Sequence, residues 1–217
     1  MSGSRFSRSS EAESASSPPA AGRALVWPWI VLLIAVAMVF ALLFLPPSPS
    51  RQAGEKHPGV GSRVVQMKLE PLTGGGSRVT AADLKGKVTL INFWGPWCPP
   101  CRMEFPHLME IEQHFHSNDR FQLLSISCSG QSGSDEDMAP MTAEFLEEYQ
   151  ASIPTYRDPH QQFIQFLIGA AKLDDFVFPT SLVVDRQGVI RGVWCGYMPG
   201  DEREIHRMIE SLLLKGS

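Results

Sequence analysis

Residues 92–106 read NFWGPWCPPCRMEFP. The stretch sets Cys98 and Cys101 around two consecutive prolines, after an apolar run and before a helical pattern. Cysteines so spaced can ligate a metal, attach a haem, staple a loop or exchange electrons. Haem attachment needs a histidine directly after the second cysteine, and Arg102 stands there. A structural zinc site needs four ligands, usually two such pairs. Cys128 and Cys195 stand alone, and the six histidines are scattered, with only His107 and His114 able to share a helix face. No metal is expected. An inert staple is a poor use of the pair, because so small a ring restrains little of the unfolded chain.

Electron exchange suits the position better. The thiolate is the nucleophilic form of cysteine. The start of a helix offers it unpaired N–H groups and the positive end of the macrodipole. Pro100 fits a first helical turn, where no N–H is missed and its φ is already suitable. Pro99 and Pro100 together stiffen the turn and favour the short approach that a disulfide requires. Cys98 is expected to be the exposed member, with Cys101 buried behind it.

The flanks supply the rest of a domain. KVTLINFW, residues 87–94, is an almost continuous apolar run, as in a strand buried on both faces. A helix follows from about residue 101 to 116, then a second buried strand, RFQLLSIS, at 120–127. RVVQMKLEPL, residues 63–72, partly alternates and reads as an earlier strand. Beyond residue 127 come a polar acidic loop, a helix at 141–150, a short strand in PTYRD and a helix at 160–171. TSLVVDRQGVIRGVWC reads as two strands about a DRQG turn. Residues 201–214 close the chain as a helix, with Ile205, Met208, Ile209 and Leu212 at helical spacing. This order predicts an α/β/α sandwich with a mixed sheet, its early strands parallel and its last two antiparallel.

Composition changes sharply before this domain. Residues 1–24, rich in Ser, Ala and Pro, are expected to be a disordered tail. Leu25 to Leu45 carries no charge. At roughly 1.5 Å per residue such a run covers about 30 Å, the hydrocarbon thickness of a bilayer. We read it as an uncleaved transmembrane anchor, since it leads into PPSPS without a small-x-small cleavage site. Trp27 and Trp29 lie at one end, where aromatic belts sit, and the flanking charges lean towards a cytoplasmic N-terminus. Residues 46–62 are expected to be a flexible Pro/Gly/Ser linker and 63–217 the folded domain. The formal net charge is only −4, without a basic stripe, so nucleic acid is an unsuitable partner.

The segment NFWGPWCPPCRMEFP, with FPTSLVVDRQG at 178–188, resembles the TlpA/ResA-like branch of thioredoxin-fold proteins over roughly residues 60–217. The matching residues are Trp97, Cys98, Cys101, Arg102, Glu104, Pro106 and Pro179. The resemblance implies a thioredoxin-like fold and a membrane-tethered thiol–disulfide oxidoreductase outside the cytoplasm (the periplasmic side in a bacterium). It implies reduction of protein disulfides, for example in cytochrome c or metalloprotein maturation, supplied by an electron-donor protein. No cofactor is implied. Cys98 would form the mixed disulfide and Cys101 resolve it. Pro179 would be a cis-proline facing the sulfurs, Trp97 a shield and Glu104 a proton exchanger. A first-turn glutamate also complements the helix dipole, so that alternative stays open. Asn92 stands where thioredoxin has a buried Asp and cannot take up a proton. Cys128 and Cys195 are expected on strands that are not neighbours, beyond disulfide reach. A metal-carrying or partner-docking module and a thiol peroxidase remain as alternatives, although the peroxidatic Thr-x-x-Cys pattern is absent.

Overall fold

In the computed structural model of the chain, the run VTLINFW forms β3 (Val88–Trp94), and all seven of its residues are buried. Residues 27–44, 52–130, 138–174 and 176–215 are described. β3 pairs parallel with β4 (Phe121–Ser127) and antiparallel with β6 (Thr180–Val184). Its two-residue period sorts the core. Ile91 and Phe93 join the cluster around Phe163 and Leu167. Val88 and Leu90 pack with Leu108, Ile111 and Ile209, and Trp94 with Phe105 and Phe145. Each large apolar side chain withdrawn from water contributes about 1.5–3 kcal/mol, so a central strand filled on both faces commits the sheet to two covering layers.

Those layers are helical. α2 (Pro99–Phe115), α3 (Met138–Glu148) and α5 (Asp201–Leu214) supply the residues on the Leu90 and Trp94 face. α4 (Gln162–Ala170) covers the Phe93 face. The sheet has the order β2-β1-β5-β4-β3-β6-β7, where β1 is Lys68–Thr73, β2 Val79–Thr80, β5 Thr155–Arg157 and β7 Ile190–Cys195. β3, β4 and β5 are parallel, and β6–β7 and β1–β5 are antiparallel pairs. This is the thioredoxin-like mixed sheet that the element order predicts, except that β1, expected to be parallel with the other early strands, runs antiparallel to β5.

Several boundaries differ from the sequence reading. The expected strand at 63–72 begins only at Lys68. Arg63 and Val64 instead lie along the β6–β7 turn, with Val64 N–H donating to Gly188 O at 2.8 Å. The two-residue β2 escaped notice because it is too short to show a period. α3 starts three residues before the expected Met141, at Met138. α4 starts at Gln162 because His160 and Gln161 have φ of 58° and 55°. The Asp158 carboxylate accepts from the backbone N–H groups of Phe163 and Ile164, which fixes that start.

The linker expected over 46–62 is packed against the domain from Ala53 onward. Gly54 pairs with Val193 on the edge strand β7, and His57 is buried, its Nδ1 accepting from Gly59 N–H at 2.9 Å. Residues 46–51 and the tail 1–24 lie outside the described residues. The chain divides into two units at residue 50. In the first, α1 (Trp27–Phe44) covers eighteen residues of the uncharged run. Among the described residues no helix is long and apolar enough to cross a membrane.

Candidate active site

Cys98 is the N-cap of α2, in extended conformation. Pro99 and Pro100 occupy the first two helical positions and bring no N–H. The first N–H of the helix is therefore that of Cys101, and it donates to Cys98 Sγ at 3.3 Å. The next, that of Arg102, donates to Cys98 O at 3.2 Å. The double proline thus leaves one donor at the helix start and aims it at the sulfur. Cys98 and Cys101 are joined as a disulfide, with Cα atoms 5.3 Å apart. Both are buried, against the expectation of an exposed Cys98. The bonded sulfurs lie in the cluster of Trp94, Phe105 and Phe145, with Phe178 packed against it.

Trp97 is held on three sides. Its Nε1–H donates to Cys128 O at 2.9 Å, tying the motif to the chain leaving β4. Its ring meets Phe178 edge-on, with centroids 5.4 Å apart. Gly95 and Gly130 lie against the indole, and a Cβ on Gly95 would stand 2.4 Å from Nε1. The Phe178–Pro179 peptide bond is cis, and Pro179 O accepts from Gly196 N–H at 2.7 Å. Beside Trp97 and Phe178 opens a groove of about 710 Å³, lined also by Cys128, Met138, Ile164 and Phe176.

α3 secures the other side of α2. Pro106, inside the helix, cannot donate to the carbonyl four residues back, that of Arg102. The Tyr149 hydroxyl donates to that carbonyl at 3.4 Å. The Arg102 guanidinium lies 5.0 Å from the Phe145 ring centroid and 5.6 Å from that of Tyr149, pairs with Glu148 and reaches Pro96 O at 3.5 Å. The residue after the second cysteine therefore anchors the turn before the first.

Glu104 is buried one turn beyond Cys101. Its Oε2 accepts from Asn92 Nδ2 at 2.9 Å and its Oε1 from Ser181 Oγ at 3.1 Å. The dipole alternative for Glu104 loses ground, because its carboxyl faces side chains of β3 and β6 rather than solvent. Asn92 fills the expected place of the thioredoxin Asp and touches Glu104 directly. Ser181 was missed by sequence reasoning. No alternation marks it, because all five residues of β6 are buried; the antiparallel register with β3 sets it opposite Asn92.

Cys128 and Cys195 are buried, and neither is disulfide-bonded. They follow β4 and end β7, with β3 and β6 between them. Burial first, and then the nearby Asp158 charge, pushes the Cys128 thiol far up from its ordinary value, so it is a poor source of thiolate.

A disulfide that caps a helix, set beside a proline loop at the end of a mixed sheet, defines the class: a thioredoxin-like thiol–disulfide oxidoreductase. The DsbE thiol:disulfide interchange protein of Pseudomonas aeruginosa is 31% identical over 171 residues, covering 77% of this chain and 81% of its own. The thiol-disulfide oxidoreductase ResA of Bacillus subtilis is 28% identical over 146 residues, covering 67% and 73%. A DsbF homologue from Corynebacterium diphtheriae shares the fold, with a TM-score of 0.58 at 24% identity over 77% of this chain and 98% of that one. Residues 60–193 match the AhpC/TSA family, and the chain belongs to it.

Proposed function

We propose that this oxidoreductase works as a membrane-tethered reductase of protein disulfides outside the cytoplasm. The observation that carries the reading is the Cys98–Cys101 pair at the start of α2 with the buried Glu104 carboxylate one turn behind it. In the dithiol form, the Cys98 thiolate attacks one sulfur of a substrate disulfide. That S–S bond breaks, a mixed disulfide forms, and the first substrate thiolate leaves and takes a proton from water. Cys101 then gives its proton to Glu104 and attacks Cys98 Sγ. The second substrate thiolate leaves and is protonated in turn. Two electrons have passed from the cysteine pair to the substrate, and an external dithiol donor restores them.

The anchor and compartment belong to the same proposal. α1 carries no charge, and its described large side chains, Trp27 and Trp29 to Ile34 among them, are exposed. An apolar surface of that extent calls for a covering, and the uncharged run Leu25–Leu45 matches a bilayer in length. With the N-terminus inside, the domain lies outside. Apo-cytochrome c and metalloprotein cysteine pairs are the substrates that the resemblance suggests.

Trapping tests the chemistry. Cys101→Ser should attack once and stall, accumulating mixed disulfides with peptide substrates, whereas Cys98→Ser should capture none. Capture the other way round would overturn the assigned roles. A reduction potential near that of thioredoxin, about −270 mV, supports the reductive direction, and one near DsbA, about −120 mV, reverses it. Protease added to intact spheroplasts should digest the domain, and its protection would exclude the outside location.

A further inference from the structure

Behind Cys101, β3, β6 and α2 converge on a buried polar trio: Asn92 at 1%, Ser181 at 0% and Glu104 at 4% exposure. Its hydrogen bonds run one way. Asn92 Nδ2 donates to Ser181 Oγ at 2.9 Å and to Glu104 Oε2 at 2.9 Å. Ser181 Oγ donates to Glu104 Oε1 at 3.1 Å. Both amide hydrogens and the hydroxyl hydrogen are therefore spent, directly or through Ser181, on the carboxylate. Asn92 Oδ1, equally buried, accepts nothing among the described residues. A buried amide oxygen left unused is costly and uncommon, and it invites a state in which it is used.

We propose that Asn92 and Ser181 are positioning residues for the proton that Glu104 receives from Cys101, through a hydrogen-bond chain that reverses when that proton arrives. The inference rests on the reading of Glu104 as proton acceptor. With Glu104 ionised, the chain runs from Asn92 through Ser181 to the carboxylate, as observed. When Cys101 transfers its proton, the S–H bond breaks and an O–H bond forms on Oε1. That oxygen no longer needs a donor. The Ser181 hydroxyl rotates, accepts from the new O–H and donates onward. A half-turn of the Asn92 amide brings Oδ1 into reach to accept it. The oxygen unused in the ionised state thus becomes the end of the chain in the acid state. Loss of the proton to water restores the original direction.

The test follows the resolution of a Cys98–peptide mixed disulfide against pH, with melting temperature recorded for each variant. Ser181→Ala removes one donor to the carboxylate, which disfavours the charged form. Its pH midpoint should rise by about one unit, close to a tenfold slower reaction below the midpoint. Ser181→Thr keeps the hydroxyl and should keep the wild-type midpoint. Asn92→Asp sets a second carboxyl against Glu104 and should split the profile into two steps. Midpoints of Ser181→Ala and Asn92→Asp within about 0.2 unit of wild type, with Glu104→Gln abolishing the transition, would overturn the reversing chain and leave Glu104 as acceptor. A wild-type profile in Glu104→Gln would instead remove Glu104 itself from the reaction. A measurement on the unmodified protein decides the matter if the variants fold poorly. The side-chain amide resonances of Asn92 should shift in step with Glu104 protonation, and constant resonances across that titration would overturn the proposal.

Discussion

Replacing Gly95 by Ala should unseat Trp97. The new Cβ would stand 2.4 Å from Trp97 Nε1, 2.7 Å from Cε2 and 2.9 Å from Cys128 O. The carbonyl has little freedom, because Cys128 N–H is bound to Trp94 O at 2.8 Å in continuation of the sheet. The indole must therefore move, and with it goes the Nε1–H bond to Cys128 O. That bond is worth about 1 kcal/mol, and the edge contact with Phe178 about 0.5–1.5 kcal/mol. Residual crowding adds about 1–3 kcal/mol. Lower entropy of the unfolded chain returns about 0.4–1 kcal/mol. The net loss is about 1.5–5 kcal/mol, which in a domain of this size lowers Tm by about 3–20 °C. Thermal unfolding followed by circular dichroism on the oxidised domain measures it, and indole fluorescence reports the displacement. With Trp97→Ala already present, the share of the cost carried by the indole should vanish, and only the crowding against Cys128 O should remain. An unchanged Tm, or an equal loss with and without the indole, would refute the clamp.

Phe145→Ala should cost about 3–5 kcal/mol, because the ring packs on Trp94, Phe105, Tyr149 and Arg102 together; urea unfolding gives the value. Tyr149→Phe deletes only the hydroxyl that serves Arg102 O and should cost about 1 kcal/mol in the same assay. Burial holds the Asp158 carboxyl above its ordinary value of 3.8, against the pull of the α4 backbone donors. The folded chain then binds that proton more tightly than the unfolded one. Its support for folding is complete below pH 3.8 and is lost as pH rises through the folded value. Asp158→Asn should flatten that slope of stability above pH 3.8. Cys128, buried and held as thiol, should resist iodoacetamide at neutral pH in the native protein and react once urea unfolds it.

Local chemistry made the motif legible from its residues alone. The fate of Pro99 and Pro100 in the first turn of α2 follows from φ and a missing N–H, and needs no neighbour to decide it. The same holds for β3, whose almost continuous apolar run reads as a strand covered on both faces, and for the uncharged run that became α1. Other features depend on which chains meet. Only the antiparallel register of β3 and β6 sets Ser181 against Asn92, and only the crossing of α2 above them brings Glu104 to both. Arg102 gains its role from α3, some forty-six residues on, whose aromatic face no period in the α2 sequence announces. Residues 53–62 read as part of a linker because Gly, Pro and Ser are frequent there. Their place on the β7 edge is decided by unpaired strand groups elsewhere, which sequence composition does not register. Periodicity and covalent restriction act within a few residues, whereas a buried polar group is satisfied by whatever the tertiary fold carries to it.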